Sequence, residues 1–203
     1  MNELRNEVIR LFQQRTHIAH DEKHALRVAA LAKYIATTEG YDSGEAEIAG
    51  LLHDMGRTVQ EEEKGHGPAG APLASKLLDT YTDCDAATKQ RILSAVEHHS
   101  ALHAEGMLTH IVQDADMLDG LGAIGLARAY MSKAQLPDYD PANIAPIKGV
   151  RNTNIHDQIA FQMEWLDFMH TTAGKQIAQK RYDFMKLFLA TFRDEIEGIN
   201  TIK

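Results

Sequence analysis

Apolar residues recur with the period of an α-helix along nearly the whole of this 203-residue chain. The first segment shows the pattern, since "LRNEVIRLFQQR" places Leu4, Val8, Ile9 and Phe12 on one face of a helix. No stretch of useful length alternates apolar and polar residues as a half-buried β-strand does. Because such helices bury their apolar stripes against one another, the chain is predicted to be all-α.

Capping residues and breaks divide this pattern into successive helices. Asp21 opens a helix to about Thr38, and Asp42 with Glu45 forms a capping-box pattern that opens a helix ending near Gly56. Further helices are predicted from Pro68, over 85–99, over 108–131 with a break around "DGLGAIG", over 155–170 and over 173–197. Between them, the proline-rich residues 134–154 are predicted to form an ordered surface excursion or a lid.

Composition and charge describe one globular domain covering 1–203. Hydrophobic residues make 44% and charged residues 25% of the chain, which is ordinary for a folded protein with a real core. The formal net charge of −8 is opposite in sign to that of a nucleic-acid groove, so we expect no nucleic-acid partner. An acidic protein can still bind a phosphorylated small molecule where a metal or a basic pocket offsets the repulsion.

The N-terminal residues and the lengths of the apolar runs indicate in which compartment the protein is expected. The first dozen residues carry charges throughout, which is unlike a signal peptide. No apolar run approaches the roughly 20 residues that span a bilayer. We therefore expect a cytoplasmic protein with no membrane partner, and the single cysteine, Cys84, excludes an intrachain disulfide.

A histidine and an aspartate, His53 and Asp54, stand side by side near the end of the apolar segment "IAGLLHDMGR". Burying an ionised carboxylate without a partner costs much free energy, so the pair needs a compensating group. His24, on the preceding helix, is flanked three residues away by Asp21 and Arg27, which share its face. This clustering of polar groups favours a functional site over a buried core histidine.

A third segment, "IVQDADMLDG", carries the carboxylates of Asp114, Asp116 and Asp119. Asp114 and Asp116 point to nearly opposite sides of a helix, so at most one of them shares a metal with the pair, and periodicity does not choose between them. Two imidazoles and two carboxylates suit a divalent cation of intermediate softness. Four protein ligands leave octahedral positions open for water and substrate, which is typical of a catalytic site.

These segments resemble the HD superfamily of metal-dependent phosphohydrolases, in "HALRV", "LLHDMG" and "DADMLD". That family has a His on one helix, an adjacent His-Asp at the end of the next, and a distal Asp. The resemblance implies His24, His53, Asp54 and Asp116 as metal ligands. It selects Asp116 over Asp114 because the family's distal Asp lies in an "aspartate, any, leucine" context after a small residue.

The resemblance also implies an architecture, an HD-type helical bundle. The metal-site motifs lie within 20–120, and the C-terminal helices of 155–203 pack on that part. The implied cofactor is a divalent cation, with Mn²⁺ or Mg²⁺ favoured over Ni²⁺, Co²⁺, Fe²⁺ and Zn²⁺. The implied partner is a phosphorylated small molecule, namely a nucleotide. Whether the protein forms a homodimer stays an open question.

Further segments are similar to those of small stand-alone bacterial HD hydrolases, some of which are nucleoside triphosphate pyrophosphohydrolases. They are "HGPAGAPLASKLL", "VEHHS", "QDADMLDGLGAIGLAR" and "TTAGKQIAQKRYDFMKLFLATFRDE". The similarity implies hydrolysis of a nucleoside or deoxynucleoside triphosphate to a monophosphate and pyrophosphate. The alternatives are a 5′-nucleotidase or phosphodiesterase of the same fold, a non-catalytic metal- or nucleotide-binding module, and a plain helical scaffold.

The chain departs from its relatives in three places. "QMEWL" stands where the subgroup has a Glu-Lys pair before a leucine. "MGRTVQ" follows the HD pair and lacks the Glu-Asp pair of stringent-response hydrolases. The Gly-Tyr-Pro element of cyclic dinucleotide phosphodiesterases is missing as well, and these last two differences argue against both of those substrates.

Further histidines match positions that reach a second metal or the substrate phosphates in two-metal relatives. His66 opens the pattern "H-G-x-x-G-A", and "VEHHS" fits "I-x-x-H-[ST]" with His99 as its histidine and His98 as the alternative. Asp119 is a further catalytic or second-metal candidate. Candidate phosphate-binding residues are Arg27, Arg57 and Arg128. The other histidines are predicted to lie on the surface or in the core, namely His17, His20, His103, His110, His156 and His170.

Overall fold

The computed structural model describes residues 1–15, 19–60 and 64–198, and His17 lies outside them. The α-helices are α1 (Asn2–Gln13), α2 (Glu22–Glu39), α3 (Ser43–Leu52), α4 (His66–Tyr81), α5 (Ala86–His98), α6 (Met107–Asp119), α7 (Gly122–Ser132), α8 (Ile155–Met163) and α9 (Thr172–Ile196). Two 3₁₀ turns, Met55–Thr58 and Glu164–Phe168, follow α3 and α8. Because the described ranges contain no β-strand, the all-α prediction is confirmed.

The described residues form two compact units. The first comprises Met1–Asp116 and His170–Gly174, and the second comprises Met117–Met169 and the chain from Lys175 onward. The prediction of a single domain stays a prediction. Among the described helices, none combines the length and the apolar character that crossing a membrane requires.

Side-chain caps determine where the helices of the first unit begin. Asp21 accepts a hydrogen bond of 2.9 Å from the backbone N–H of His24 and thereby starts α2. Asp42 caps α3 in the same way, at 2.9 Å from the N–H of Glu45. The predicted capping box is only half formed, because the Glu45 carboxylate instead accepts two hydrogen bonds, of 2.7 and 2.8 Å, from the Arg91 guanidinium.

The close packing of α2 against α3 brings two candidate ligands together. A Cβ atom on Gly50 would lie 3.0 Å from the Ala29 Cα, so only glycine allows the helices to approach this closely. The apolar residues that the two helices bury completely include Val28, Ala32, Ile35, Ala46, Ala49 and Leu52. Each large buried aliphatic side chain stabilises the fold by roughly 1.5–3 kcal/mol. This interface brings the rings of His24 and His53 together edge-on, with their centroids 5.1 Å apart.

Helix α3 was predicted to end near Gly56, but it ends at Leu52. The chain then tightens into a 3₁₀ turn. The backbone of that turn packs directly on α4. A Cβ atom on Gly56 would overlap the carbonyl oxygen of His66, and one on Gly70 would lie 2.5 Å from the Gly56 nitrogen. The early end of α3 therefore depends on tertiary packing, which local periodicity does not report.

The first turn of α4 makes a second close backbone contact, with the end of α5. A Cβ atom on Gly67 would overlap the carbonyl oxygen of Glu97. Helix α5 starts after its N-cap Asp85, which accepts a 2.7 Å hydrogen bond from the N–H of Thr88, and it ends close to the predicted boundary. The glycines of α4 thus place His66 beside the C-terminal end of α5.

In the second unit, the predicted break between α6 and α7 is confirmed. Gly122 begins α7 with a φ of 75°, which only glycine adopts without strain. The stretch between α7 and α8 is irregular, and the Asp157 carboxylate anchors it by accepting a 2.8 Å hydrogen bond from the N–H of Ile147. The helix predicted over 155–170 is shorter, because α8 ends at Met163 and continues as a 3₁₀ turn.

Candidate metal centre

Within the first unit, α2, the residues directly after α3 and the part of α6 up to Asp116 bring the four predicted metal ligands together. The Nε2 atom of His24, on α2, lies 3.2 Å from Nε2 of His53 and 3.3 Å from Oδ1 of Asp116, on α6. The Oδ2 atom of Asp54 lies 3.5 Å from both imidazole nitrogens. Ligand atoms that each lie about 2.1 Å from one ion, at right angles, are about 3.0 Å apart. These separations therefore suit one shared cation.

The His53 ring presents a lone pair to this cluster. Its Nδ1–H donates to the carbonyl oxygen of Gly50 at 2.8 Å. Burial lowers the pKa of His53 to about 4, and the charges of Asp54 and Asp116 offset only part of this effect. The ring is therefore neutral at pH 7, and its Nε2 is an acceptor that faces another imidazole nitrogen. A neutral imidazole whose Nε2 lone pair points into a cluster of carboxylate oxygens fits a metal ligand.

The two carboxylates of the cluster are ionised. Burial raises the pKa of Asp54, but hydrogen bonds from neighbouring imidazoles lower it more, so it stays well below its usual range. The pKa of Asp116 is likewise lowered, because the hydrogen bond from His24 outweighs burial. Asp54 is fully buried while the Asp116 side chain is 33% exposed, so the cluster opens to solvent at Asp116.

Asp54 faces a second pair of imidazoles with its other oxygen. Its Oδ1 lies 3.3 Å from Nε2 of His66 and 3.7 Å from Nε2 of His99, and these two nitrogens are 2.9 Å apart. His98, the alternative to His99, is exposed and donates through Nδ1 to the carbonyl oxygen of Ser94. The structure therefore joins His99, and not His98, to the cluster.

His20, to which the sequence pattern assigned no role, also contacts Asp54. Its Nδ1 lies 2.7 Å from Oδ2 of Asp54, and its ring meets the His24 ring edge-on at 5.1 Å. Burial lowers the pKa of His20, and the Asp54 hydrogen bond offsets part of this effect. Its placement on the surface or in the core is thus corrected. The available signal was its position beside the N-cap Asp21, but residues before a helix have no helical period.

The basic residues predicted to contact phosphate lie in different surroundings. Arg57 donates through Nε to Oδ1 of Asp54 at 2.9 Å, and Arg27 is half-buried on α2. In the second unit, Arg128 donates through Nη1 to Oδ2 of the buried Asp119 at 2.9 Å. The predicted roles of Arg27, Arg57 and Arg128 in phosphate binding and of Asp119 in catalysis stay predictions.

The structure separates Asp114 from Asp116. Asp114 is buried and accepts three hydrogen bonds: from the N–H of His170 at 2.8 Å, and from the N–H and hydroxyl of Thr171 at 2.8 and 2.6 Å. A Cβ atom on Gly174 would overlap the Asp114 carboxylate. Asp114 thus fastens residues 170–174 within the first unit, and Asp116 is the carboxylate that joins the cluster.

Replacing Asp114 by Ala is expected to lower the free energy of unfolding by about 3 kcal/mol, because buried donors lose a charged acceptor. The Mn²⁺ affinity of the folded variant should stay unchanged, since Asp114 does not face the cluster. Denaturant titration and calorimetry measure the two quantities, with Asp79→Ala on the surface of α4 as the control. Wild-type stability, or loss of Mn²⁺ binding by the folded variant, contradicts this assignment.

Comparison with known proteins connects this site to a family. The model of the HD domain matches residues 22–123, about half of the chain. The uncharacterized protein YpgQ of Bacillus subtilis is 27% identical over 192 residues, which cover 89% of this chain and 86% of YpgQ. Ribonuclease Y of Oleidesulfovibrio alaskensis is 31% identical over 151 residues, which cover 72% of this chain but only 26% of that protein.

Solved structures share the fold over nearly the full chain. An HD-superfamily hydrolase from Bacillus thuringiensis has a TM-score of 0.77 and 25% identity, covering 97% of this chain and 96% of that one. A predicted HD superfamily hydrolase from an uncultured Thermotogales bacterium has a TM-score of 0.73 and 28% identity, covering 96% and 92%. Bacillus subtilis YpgQ, in complex with ADP, has a TM-score of 0.74 and 24% identity, covering 98% and 96%, and so shares the fold.

The chain belongs to the HD domain family and is a metal-dependent phosphohydrolase of that superfamily. The prediction made from "HALRV", "LLHDMG" and "DADMLD" is confirmed at this level.

Proposed function

We propose that this enzyme hydrolyses a nucleoside or deoxynucleoside triphosphate between the α and β phosphorus atoms, releasing a monophosphate and pyrophosphate. The observation that carries the proposal is the position of one buried carboxylate between two pairs of imidazoles. Oδ2 of Asp54 faces His24 and His53, and Oδ1 faces His66 and His99. Such a site offers room for a pair of cations, which a polyphosphate chain needs more than a simple monoester does.

The proposed ligands of the first cation are His24, His53, Asp54 and Asp116. Those of the second are His66 and His99, with Asp54 shared. A bound divalent cation lowers the pKa of a coordinated water and polarises a phosphoryl oxygen. The mixed nitrogen and oxygen ligands suit Mn²⁺, with Mg²⁺ next.

Hydrogen bonds behind the ligands orient the rings. The Nδ1–H of His53 donates to the Gly50 carbonyl oxygen at 2.8 Å, and that of His99 donates to the Val96 carbonyl oxygen at 2.7 Å. In metal sites, such outer hydrogen bonds fix the tautomer that directs Nε2 at the ion. They support the proposal that both imidazole pairs are built to hold cations.

The nucleotide part of the proposal has separate support. YpgQ, which resembles this chain over most of its length, has been solved with ADP bound. The net charge of −8 would repel a free triphosphate, and the cations, with Arg27 as a proposed phosphate contact, offset that repulsion.

One observation favours a second candidate, hydrolysis of RNA phosphodiesters. Ribonuclease Y proteins are 31–36% identical to this chain over their matched regions. The chain spans only 17–26% of the length of these relatives, and its acidic charge opposes RNA binding. The triphosphate therefore remains the first candidate, with a 5′-nucleotidase as the other alternative.

Product analysis tests the proposal. The Mn²⁺-loaded protein is incubated with the common ribo- and deoxyribonucleoside triphosphates, with nucleoside monophosphates and with a short RNA, and the products are separated by ion-exchange chromatography. We expect equal amounts of monophosphate and pyrophosphate, and no turnover after chelation by EDTA. Free nucleoside from monophosphates indicates a nucleotidase, RNA cleavage indicates the second candidate, and stepwise orthophosphate release indicates a terminal phosphatase. Metal binding without any turnover indicates a binding module.

Replacing His99 by Ala tests the second cation. The variant is expected to bind about one equivalent of Mn²⁺ instead of about two, and to lose activity about 10–100-fold. Calorimetric titration and initial rates measure these changes. The adjacent exposed His98→Ala is the control and should keep the wild-type values. If the His99 variant retains both equivalents, the second-cation proposal is wrong.

A further inference from the structure

Asp54 is held by two donors that belong to neither imidazole pair. His20 Nδ1 lies 2.7 Å from Oδ2, and Arg57 Nε lies 2.9 Å from Oδ1. Because an ionised carboxylate only accepts hydrogen bonds, the ring N–H and the guanidinium N–H must both donate. Each oxygen of Asp54 therefore has one donor of its own.

Both donors are themselves held in place. The His20 ring packs edge-on against the His24 ring, and only 26% of its side chain is exposed. Arg57 lies in the 3₁₀ turn that follows Asp54, its backbone N–H donates to the Asp54 carbonyl oxygen at 3.0 Å, and its side chain is 12% exposed. His20 and Arg57 together form a clamp on the Asp54 carboxylate. His20 comes from the chain before α2, and Arg57 comes from the 3₁₀ turn that follows Asp54.

A clamp of this kind restricts how the carboxylate can bind ions. Each oxygen has two lone pairs, and the hydrogen bond uses one of them. Rotating Asp54 so that both oxygens chelate a single ion would break a charge-assisted hydrogen bond, which is about twice as strong as a neutral one. The remaining lone pairs face different groups: that of Oδ2 faces His24 and His53, and that of Oδ1 faces His66 and His99.

We infer that His20 and Arg57 are positioning residues that divide Asp54 between two cations, His20 acting on the first and Arg57 on the second. The inference rests on the proposed function, because it takes both imidazole pairs to hold cations. It assigns neither residue a contact with the substrate. Loss of either donor weakens one cation site and leaves the other near its wild-type affinity.

Matched substitutions of His20 isolate the hydrogen bond. Leu has a carbon where His20 has Nδ1, whereas Asn has an amide N–H at the same distance from the backbone. His20→Leu is expected to weaken the first Mn²⁺ about 10–100-fold, as loss of an outer hydrogen bond does in other metal sites. His20→Asn is expected to restore most of the affinity.

The same design serves Arg57. Gln carries a side-chain nitrogen at the position of the arginine Nε but lacks the charge, and Met carries neither. Arg57→Met is expected to weaken the second Mn²⁺ about 10–100-fold, and Arg57→Gln to restore it. If the arginine acted through its charge alone, the Gln and Met variants would behave alike.

Calorimetric titration of the full chain with Mn²⁺ measures both affinities, and the site lost in His99→Ala identifies the second cation. Thermal unfolding of the metal-free variants establishes that they are folded, with His20→Ala and Arg57→Ala as replacements if the first choices are not. Unchanged affinities, equal weakening of both sites by one variant, or failure of Asn and Gln to rescue overturns the inference. If the unaltered protein binds no Mn²⁺, the proposed function fails instead.

Discussion

Replacing Asp54 by Asn is expected to lower phosphohydrolase activity by at least about 10³-fold, since losing a single well-placed electrostatic group in an active site already costs about 10²–10³. Among the residues that the structure describes, Asp54 is the carboxylate that faces both imidazole pairs, so its charge serves each of the proposed cations. The amide is almost the same size, which keeps the packing, but half of it is a donor that would face the donors of His20 or Arg57.

Initial rates with the best triphosphate and equilibrium dialysis against Mn²⁺ measure the two consequences for Asp54→Asn. The variant should bind Mn²⁺ weakly at both sites. Asp79→Asn removes the same charge from the surface of α4 and should leave rate and binding unchanged. If the Asp54 variant keeps activity within about tenfold of the unaltered enzyme, Asp54 is not the shared ligand, because that loss lies below the cost of one electrostatic group.

Replacing Gly56 by Ala is expected to destabilise the protein by about 3 kcal/mol or more, at the upper end of what overpacking costs. The added Cβ would overlap the carbonyl oxygen of His66, and backbone atoms of a helix cannot move aside as a flexible side chain can. For a chain of this length, such a loss lowers Tm by about 6–12 °C. Because His66 would be displaced, binding of the second cation should weaken as well.

Differential scanning calorimetry with and without Mn²⁺ measures the effect of Gly56→Ala. Gly44→Ala is the control, because its Cβ would lie 3.3 Å from Oδ1 of Asp42 at the start of α3, where Ala is intrinsically favoured over Gly. A Gly56 variant as stable as the Gly44 variant would show that the contact between the 3₁₀ turn and α4 is looser than described.

Local sequence was enough to predict the structural features that depend only on residues close together in the chain. Asp21 and Asp85 cap helices that begin where the pattern predicts, because a cap acts within one helical turn. The break between α6 and α7 was also predictable, since glycines such as Gly122 interrupt the helical pattern. The HD pair and its neighbouring motifs were enough to predict the family, because the types and order of these residues can be seen directly in the sequence.

Local sequence was not enough to predict the interactions of a side chain whose partner is distant in sequence. Glu45 looks like the second half of a capping box, but Arg91 offers its carboxylate two charge-assisted hydrogen bonds, which outweigh one bond to a backbone N–H. Asp114 and Asp116 both border the apolar stripe of α6. Only the position of residues 170–174 shows that Asp114 is a structural acceptor.

By itself, the sequence determined that this chain is helical, where most of its helices begin, and which residues around His53 and Asp54 mark a phosphohydrolase. The tertiary structure alone decided that α3 ends early, that His99 and not His98 faces Asp54, and that His20 joins the cluster. The physical reason is the range of the interactions. Caps and periodicity act within a few residues, whereas the cluster forms only where separate backbones approach closely enough to share one carboxylate.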